Sequence, residues 1–130
     1  LIVGCAYNIR VEEGRFIFRE GNEADNFYFI REGKVALEIF SPQQGPILIE
    51  TIEGGDDLGW SWLIPQYKWK FDAKAVEQVR AIAFDGKCLR NKCGEDHDIG
   101  YELLMSFSNV IEERLQATRL RLLELYGVII

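Results

Sequence analysis

A chain of 130 residues suits one domain with a single core. Its hydrophobic share of 48% and charged share of 28% are those of a soluble globular protein, and no apolar run approaches the roughly 20 residues needed to span a bilayer. The net charge of −6 argues against a general nucleic-acid or anionic-membrane surface.

Residues 1–85 read as short strands broken by turns. Cys5 to Val11 is the first expected strand, Glu13-Gly14 a turn, and Phe16 to Phe18 a short apolar strand. Glu20-Gly21-Asn22 is turn chemistry again. Phe27 to Ile30 is continuously apolar, which fits burial on both faces. After Glu32-Gly33, the run Val35 to Phe40 places Val35, Leu37 and Ile39 on one face at the strand period of two. Ser41 to Pro46 is a hairpin loop and Ile47 to Ile52 a strand. Phe71 to Ala75 and Val79 to Phe84 follow, the latter with Val79, Ala81 and Ala83 on one side. Strands this short with turns this frequent predict a mainly β fold, a sandwich or jelly roll.

The period then changes. Residues 86–94 predict a short helix, with Cys93-Gly94-Glu95 as a break. Asp96 or Asp98 caps a second helix over 96–126, which has no proline and no glycine between Gly100 and Gly127. Leu104, Ile111, Leu115, Thr118, Leu122 and Leu125 recur at spacings of three, four and seven, an a/d seam that predicts a homodimer through this helix. Leu103, Phe107 and Val110 form a second stripe. The polar residues Glu112, Glu113, Arg114, Arg119, Arg121 and Glu124 are its wet face. Three cysteines, Cys5, Cys88 and Cys93, form no framework, so reduced thiols and a cytoplasmic setting are expected, with Cys88 facing the core. Cys88, Cys93 and His97 match no zinc-knuckle spacing, and no metal or resident cofactor is expected.

Between the sheet strands lies Gly54 to Ala75, a glycine-bearing turn, a short apolar run and a strand-like exit. That outline fits a loop whose backbone amides face an anion. Its filling does not, because Trp60, Trp62, Tyr67 and Trp69 stand where a polar acceptor and a cation are wanted. Three readings stand open: the indoles fill an old cavity, line an altered ligand site, or form a partner patch.

Several segments carry a likeness. Phe18 to Val35, Gly55-Asp56-Asp57-Leu58-Gly59 and Arg114 to Thr118 resemble the opening hairpin, cassette turn and dimer helix of the cyclic nucleotide-binding domain, as in the sensory halves of catabolite activator and fumarate–nitrate regulator proteins. The resemblance implies a double-stranded β-helix barrel, then a short helix and a long dimerisation helix, and a role in signal transduction within a transcription-regulator family. It covers about residues 5–126, essentially the whole chain, and 1–130 is expected to be one domain.

The family's phosphate cassette supplies a Glu to the ribose hydroxyl and an Arg to the cyclic phosphate. Aligned from Gly59, the Glu position is Trp60, the small residue Trp62, and the Arg position Trp69, followed by Lys70. Losing either charged hydrogen bond costs about 1.5–3 kcal/mol. The expectation is a non-enzymatic regulatory domain that does not bind cyclic AMP or cyclic GMP in the usual way. One alternative is a functional receptor using Lys68 or Lys70; another is an interaction module using the aromatic cluster. Any small-molecule effector is expected near Gly54, Gly55, Asp56, Leu58, Gly59, Trp60, Ser61, Trp62, Trp69, Lys70 and Ala73, with Thr118 closing from the long helix. Only Gly127-Val128-Ile129-Ile130 follows that helix, so direct DNA binding by this chain is not expected. No membrane association is expected, and a protein partner is left open.

Overall fold

A computed structural model describes residues 2–127; Leu1 and residues 128–130, at the two ends of the expected domain, lie outside the described residues. A 3-10 turn over Ile2–Cys5 leads into β1 (Ala6–Val11), then β2 (Phe16–Phe18), β3 (Asn26–Glu32), β4 (Lys34–Ser41), β5 (Gly45–Glu53), β6 (Asp57–Leu58), β7 (Asp72–Ala75) and β8 (Val79–Asp85). Two helices follow, α1 (Gly86–Glu95) and α2 (His97–Leu125). The strands form two four-stranded antiparallel sheets, ordered β1-β8-β3-β6 and β2-β7-β4-β5. This is the expected jelly-roll class, mainly β with C-terminal helices.

The two sheets enclose one apolar cluster. Alternation in β8 sends Val79, Ala81 and Ala83 inward, each at most 1% exposed. Ala73 and Ala75 of β7 join them at 0%. These small side chains share the core with Phe18, Tyr28 and Trp69, so large rings are accommodated opposite short ones. Asp72 is the buried charged residue of this region. Its Oδ1 accepts the Glu20 amide at 2.7 Å and the half-exposed Arg19 Nε at 3.4 Å. Asp72→Ala leaves that amide without its acceptor and is expected to cost roughly 1–3 kcal/mol in urea unfolding. Asp72→Asn, which keeps an acceptor oxygen, should lose less. Equal losses for the two would discard this account.

Four details depart from the pattern read in the sequence. First, Cys5 closes the 3-10 turn, so the first strand starts at Ala6. Second, β3 is not buried on both faces. Tyr28 and Ile30 point into the core, whereas Phe29 is 37% exposed. Third, the pairing of β4 with β5 shifts between Leu37 and Glu38. The extra residue is Ile49 of β5, and β4 keeps its own alternation. Val35 and Leu37 are buried while Ile39 is 44% exposed, because it lies beyond Glu38, the last β4 residue that β7 pairs. Fourth, α1 does not break at Cys93-Gly94 but runs to Glu95. A glycine late in a helix costs only about 1 kcal/mol, too little to end it.

By backbone contacts the chain divides into two compact units, Leu1–Lys92 and Cys93–Ile130. In the second, Asp96 caps α2 by accepting the Asp98 amide at 3.0 Å. The helix ends at Tyr126, with Gly127 in the left-handed region and its amide on the Glu124 carbonyl. Its 29 residues give a length of roughly 43 Å at 1.5 Å per residue. Leu104, Ile111, Leu115, Leu122 and Leu125 lie on it exposed, between 46% and 79%.

Candidate functional site

The turn that opens the cassette is tied down by its own backbone. The Gly55 amide donates to the Ile30 carbonyl at 2.8 Å, and the Asp56 amide donates to the Glu53 carbonyl at 3.0 Å. Asp56 Oδ2 accepts the Glu53 amide at 3.0 Å, the role expected for a turn carboxylate. Gly54 sits against the Arg31 carbonyl, where a Cβ would come within 2.8 Å. Leu58 pairs with Tyr28 across β6 and β3 and is fully buried. At this position, then, both glycine-turn amides are spent on protein carbonyls.

The three indoles do not form one wall. Trp69 enters the roll, 3% exposed, and stacks on Phe18 with ring centroids 3.7 Å apart and planes 8° from parallel. Its far edge lies over Gly59. A Cβ on that glycine would stand 2.7 and 2.8 Å from Cη2 and Cζ3 of the indole. Gly59 also has φ of +88°, so the residue type is required twice, by the turn and by the ring. Trp60 and Trp62 turn the other way and pack on Phe27, with centroids 4.5 and 6.0 Å from its ring, and Phe27 in turn packs on Phe84. Trp60 is 5% exposed and Trp62 is fully buried. Ser61 between them is half-buried, and Ala73 lies in the core beside Trp69.

The two candidate lysines, Lys68 and Lys70, are exposed. Lys68 pairs with Glu23 at 2.6 Å. A guanidinium does reach the loop, but from α1. Arg90 donates to the Trp62 carbonyl at 2.6 Å and lies 4.2 Å over the Tyr67 ring. Neither Arg90 nor Phe18 was singled out as a site residue from sequence. The first lies 28 positions beyond the carbonyl it holds, a contact no local spacing announces. The second is visible only as one member of an apolar triplet. On α2, the Thr118 hydroxyl donates to the Arg114 carbonyl of its own helix at 2.8 Å, and the side chain is exposed.

A cleft of about 590 Å³ opens beside β2 and β3, lined by Phe18, Asn22, Asp25, Tyr28, Lys68 and Trp69 among others. Of the residues expected around an effector, Trp69 contributes to its wall, and so does Lys68 of the receptor alternative. Burial raises the Tyr28 phenol above its ordinary pKa. The Asn26 amide acts against that shift, and the Tyr7 and Asp25 charges act with it.

Two antiparallel sheets rolled around one core, a glycine turn leading into a buried loop, and a helical C-terminal segment define the class of cyclic nucleotide-type sensory folds. The chain belongs to the cyclic nucleotide-binding domain family, whose sequence profile matches residues 8–96. A Geobacter metallireducens GS-15 protein classed with the cyclic nucleotide-binding proteins is 26% identical, with a TM-score of 0.78 over 88% of this chain and 82% of that one. A cyclic nucleotide-binding domain from Methylobacillus flagellatus has a TM-score of 0.82 at 16% identity, over 93% of this chain and 68% of that one. The sensor domain of the transcriptional regulator DNR from Pseudomonas aeruginosa gives 0.71 at 17% identity, over 88% and 77%. The last two likenesses concern the fold alone.

Proposed function

We infer that this chain is a non-enzymatic regulatory module in which the family's nucleotide cradle has been converted into hydrophobic core. The observation that carries this is Trp69. It stands in the position of the phosphate-binding Arg, is 3% exposed, and is clamped between the Phe18 ring and the Cα of Gly59. A cyclic phosphate brought there would meet an apolar ring in place of a fixed guanidinium, and a buried anion without a partner is strongly disfavoured. The ribose acceptor is likewise replaced, by a Trp60 that is itself buried against Phe27. The receptor alternative has little to draw on, since Lys68 is engaged by Glu23 at the surface. An exposed aromatic patch built from these indoles has less, since all three are buried.

Titration with cyclic AMP and cyclic GMP up to about 1 mM, the range of weak binding, followed by tryptophan fluorescence and checked by calorimetry, is expected to show no saturable signal. Saturable micromolar binding by either method would overturn this reading.

The apolar seam of α2 supports a homodimer through that helix. An exposed leucine row of this length is the pattern that paired helices bury. Leu115→Asp places a charge in the seam twice per dimer and is expected to weaken association by about a hundredfold or more. Sedimentation equilibrium measures this directly. A wild-type protein that stays monomeric at high micromolar concentration would remove the basis for the seam.

A further inference from the structure

Cys5 and Cys88, 83 positions apart in sequence, are joined as a disulfide, with Cα atoms 5.6 Å apart. This corrects the expectation of three reduced thiols and of a Cys88 that faces the core unbonded; Cys93 is the free cysteine. The pairing was not legible from sequence, because the two halves lie on either side of the entire β-roll. The bond joins the last residue of the N-terminal 3-10 turn to the third residue of α1.

That helix is the one that holds the cassette loop from outside. Leu89 is fully buried. The start of α1 packs so tightly that a Cβ on Gly86 would lie 3.1 Å from the Trp62 Cβ. Arg90 then binds the Trp62 carbonyl and covers the Tyr67 ring. The covalent state of one sulfur pair therefore bears on Trp62 and Tyr67 through three neighbouring positions of a ten-residue helix. The two cysteines are also unequal: residue Cys5 is 4% exposed whereas Cys88 is half-buried, which favours Cys88 as the one a thiolate from solvent meets.

We propose that Cys5–Cys88 is a thiol–disulfide sensing site whose state sets how firmly α1 holds the Trp60–Tyr67 loop. The incoming thiolate attacks Cys88 Sγ and forms a mixed disulfide. The bond to Cys5 breaks, and the Cys5 thiolate takes a proton. A second thiol resolves the mixed disulfide, releasing the Cys88 thiol and a small organic disulfide. Two low-molecular-weight thiols are thereby oxidised as one protein disulfide is reduced, and glutathione disulfide drives the reverse. The bond ties the third residue of α1 to the N-terminal turn, so the oxidised form holds the start of that helix in place. Its placement argues for control: it fastens a helix whose side chains seat the cassette. In a reducing compartment a disulfide of this kind is characteristically transient and sensing. None of this depends on whether the cassette takes a nucleotide.

The test uses the full chain carrying Cys93→Ser, so that only the pair titrates. It is equilibrated across glutathione to glutathione disulfide ratios. Thiols are counted by alkylation and mass spectrometry, and amide hydrogen exchange is followed over residues 60–67. The expected result is a two-electron transition, with exchange in the loop at least about tenfold faster in the reduced form while β4 and β7 are unchanged. Adding Cys5→Ser and Cys88→Ser should reproduce the reduced pattern at every ratio. Free thiols throughout the oxidising range would overturn the proposal, and so would identical loop exchange in the two states. Exchange that rises across the whole roll would also overturn it, because the bond would then be a requirement for folding and not a local control.

Discussion

Trp69→Ala is expected to lose about 3–5 kcal/mol of stability, the cost of emptying a large aromatic site in a packed interior. The ring is stacked on Phe18, neighbours Tyr28, and lies among core residues. Against total stabilities of roughly 5–15 kcal/mol for a domain, such a loss leaves little in reserve. Trp69→Phe, which keeps a ring in the stack, should retain much of it and serves where the alanine variant does not fold. Trp69→Arg is the more telling substitution. It restores the residue type that the family uses for phosphate, yet here it buries a guanidinium against Phe18. It is expected to destabilise at least as much as alanine and to create no nucleotide affinity. Urea unfolding of the three variants, with and without cyclic AMP, measures both. A stable Trp69→Arg protein that binds nucleotide would show that the cradle survives beneath the ring.

Gly59→Ala should be the most damaging single-methyl addition in the cassette. The left-handed backbone costs a non-glycine residue about 1–2 kcal/mol. The new Cβ would meet the Trp69 ring at 2.7 Å, and overpacking of this kind adds roughly 1–3 kcal/mol. Gly55→Ala separates the two contributions. It has a φ of +96° but open space at its Cβ, so only the backbone cost applies. If the two variants unfold at the same denaturant concentration, the ring contact is not what constrains position 59. A double-mutant cycle with Trp69→Ala sharpens the point, since removing the indole should relieve the steric part of the Gly59→Ala loss.

The parts of the fold that were legible in the sequence are those governed by local pattern. Val79, Ala81 and Ala83 alternate as an inward face because nothing interrupts β8 on that side. Asp96 and Gly127 mark the ends of α2 because capping chemistry is local. The misreadings arise where partners distant in sequence decide. Ile39 keeps the alternation, but it lies beyond Glu38, where the pairing with β7 ends, and so is left partly exposed. The apolar run Phe27 to Ile30 has the composition of a doubly covered strand. Phe27 is covered by the rings of Trp60 and Trp62, whereas Phe29 stays partly exposed. The Cys5–Cys88 pairing had no signal at all.

Within the site, the resemblance proposes an alignment of Gly59, Trp60 and Trp69 with the family's cassette. It does not disclose that Trp69 goes into the roll while Trp60 and Trp62 go to the Phe27 side. That division depends on how a ten-residue stretch, 60–69, turns in three dimensions, with Gln66 and Tyr67 at positive φ near its end. A sequence pattern read as strand or helix carries no information about such a turn.

An indole that the chain carries itself obeys no mass action. A diffusible guest stabilises its host by an amount set by its concentration relative to its dissociation constant, so dilution empties the space. Trp69 is tethered, at an effective molarity fixed by the fold, and its place against Phe18 stays filled whatever the cell supplies. Occupancy at that point is thus a constant of the molecule. On the proposed reading, variation there comes through the chain's own covalent chemistry, through mutation or through another polypeptide.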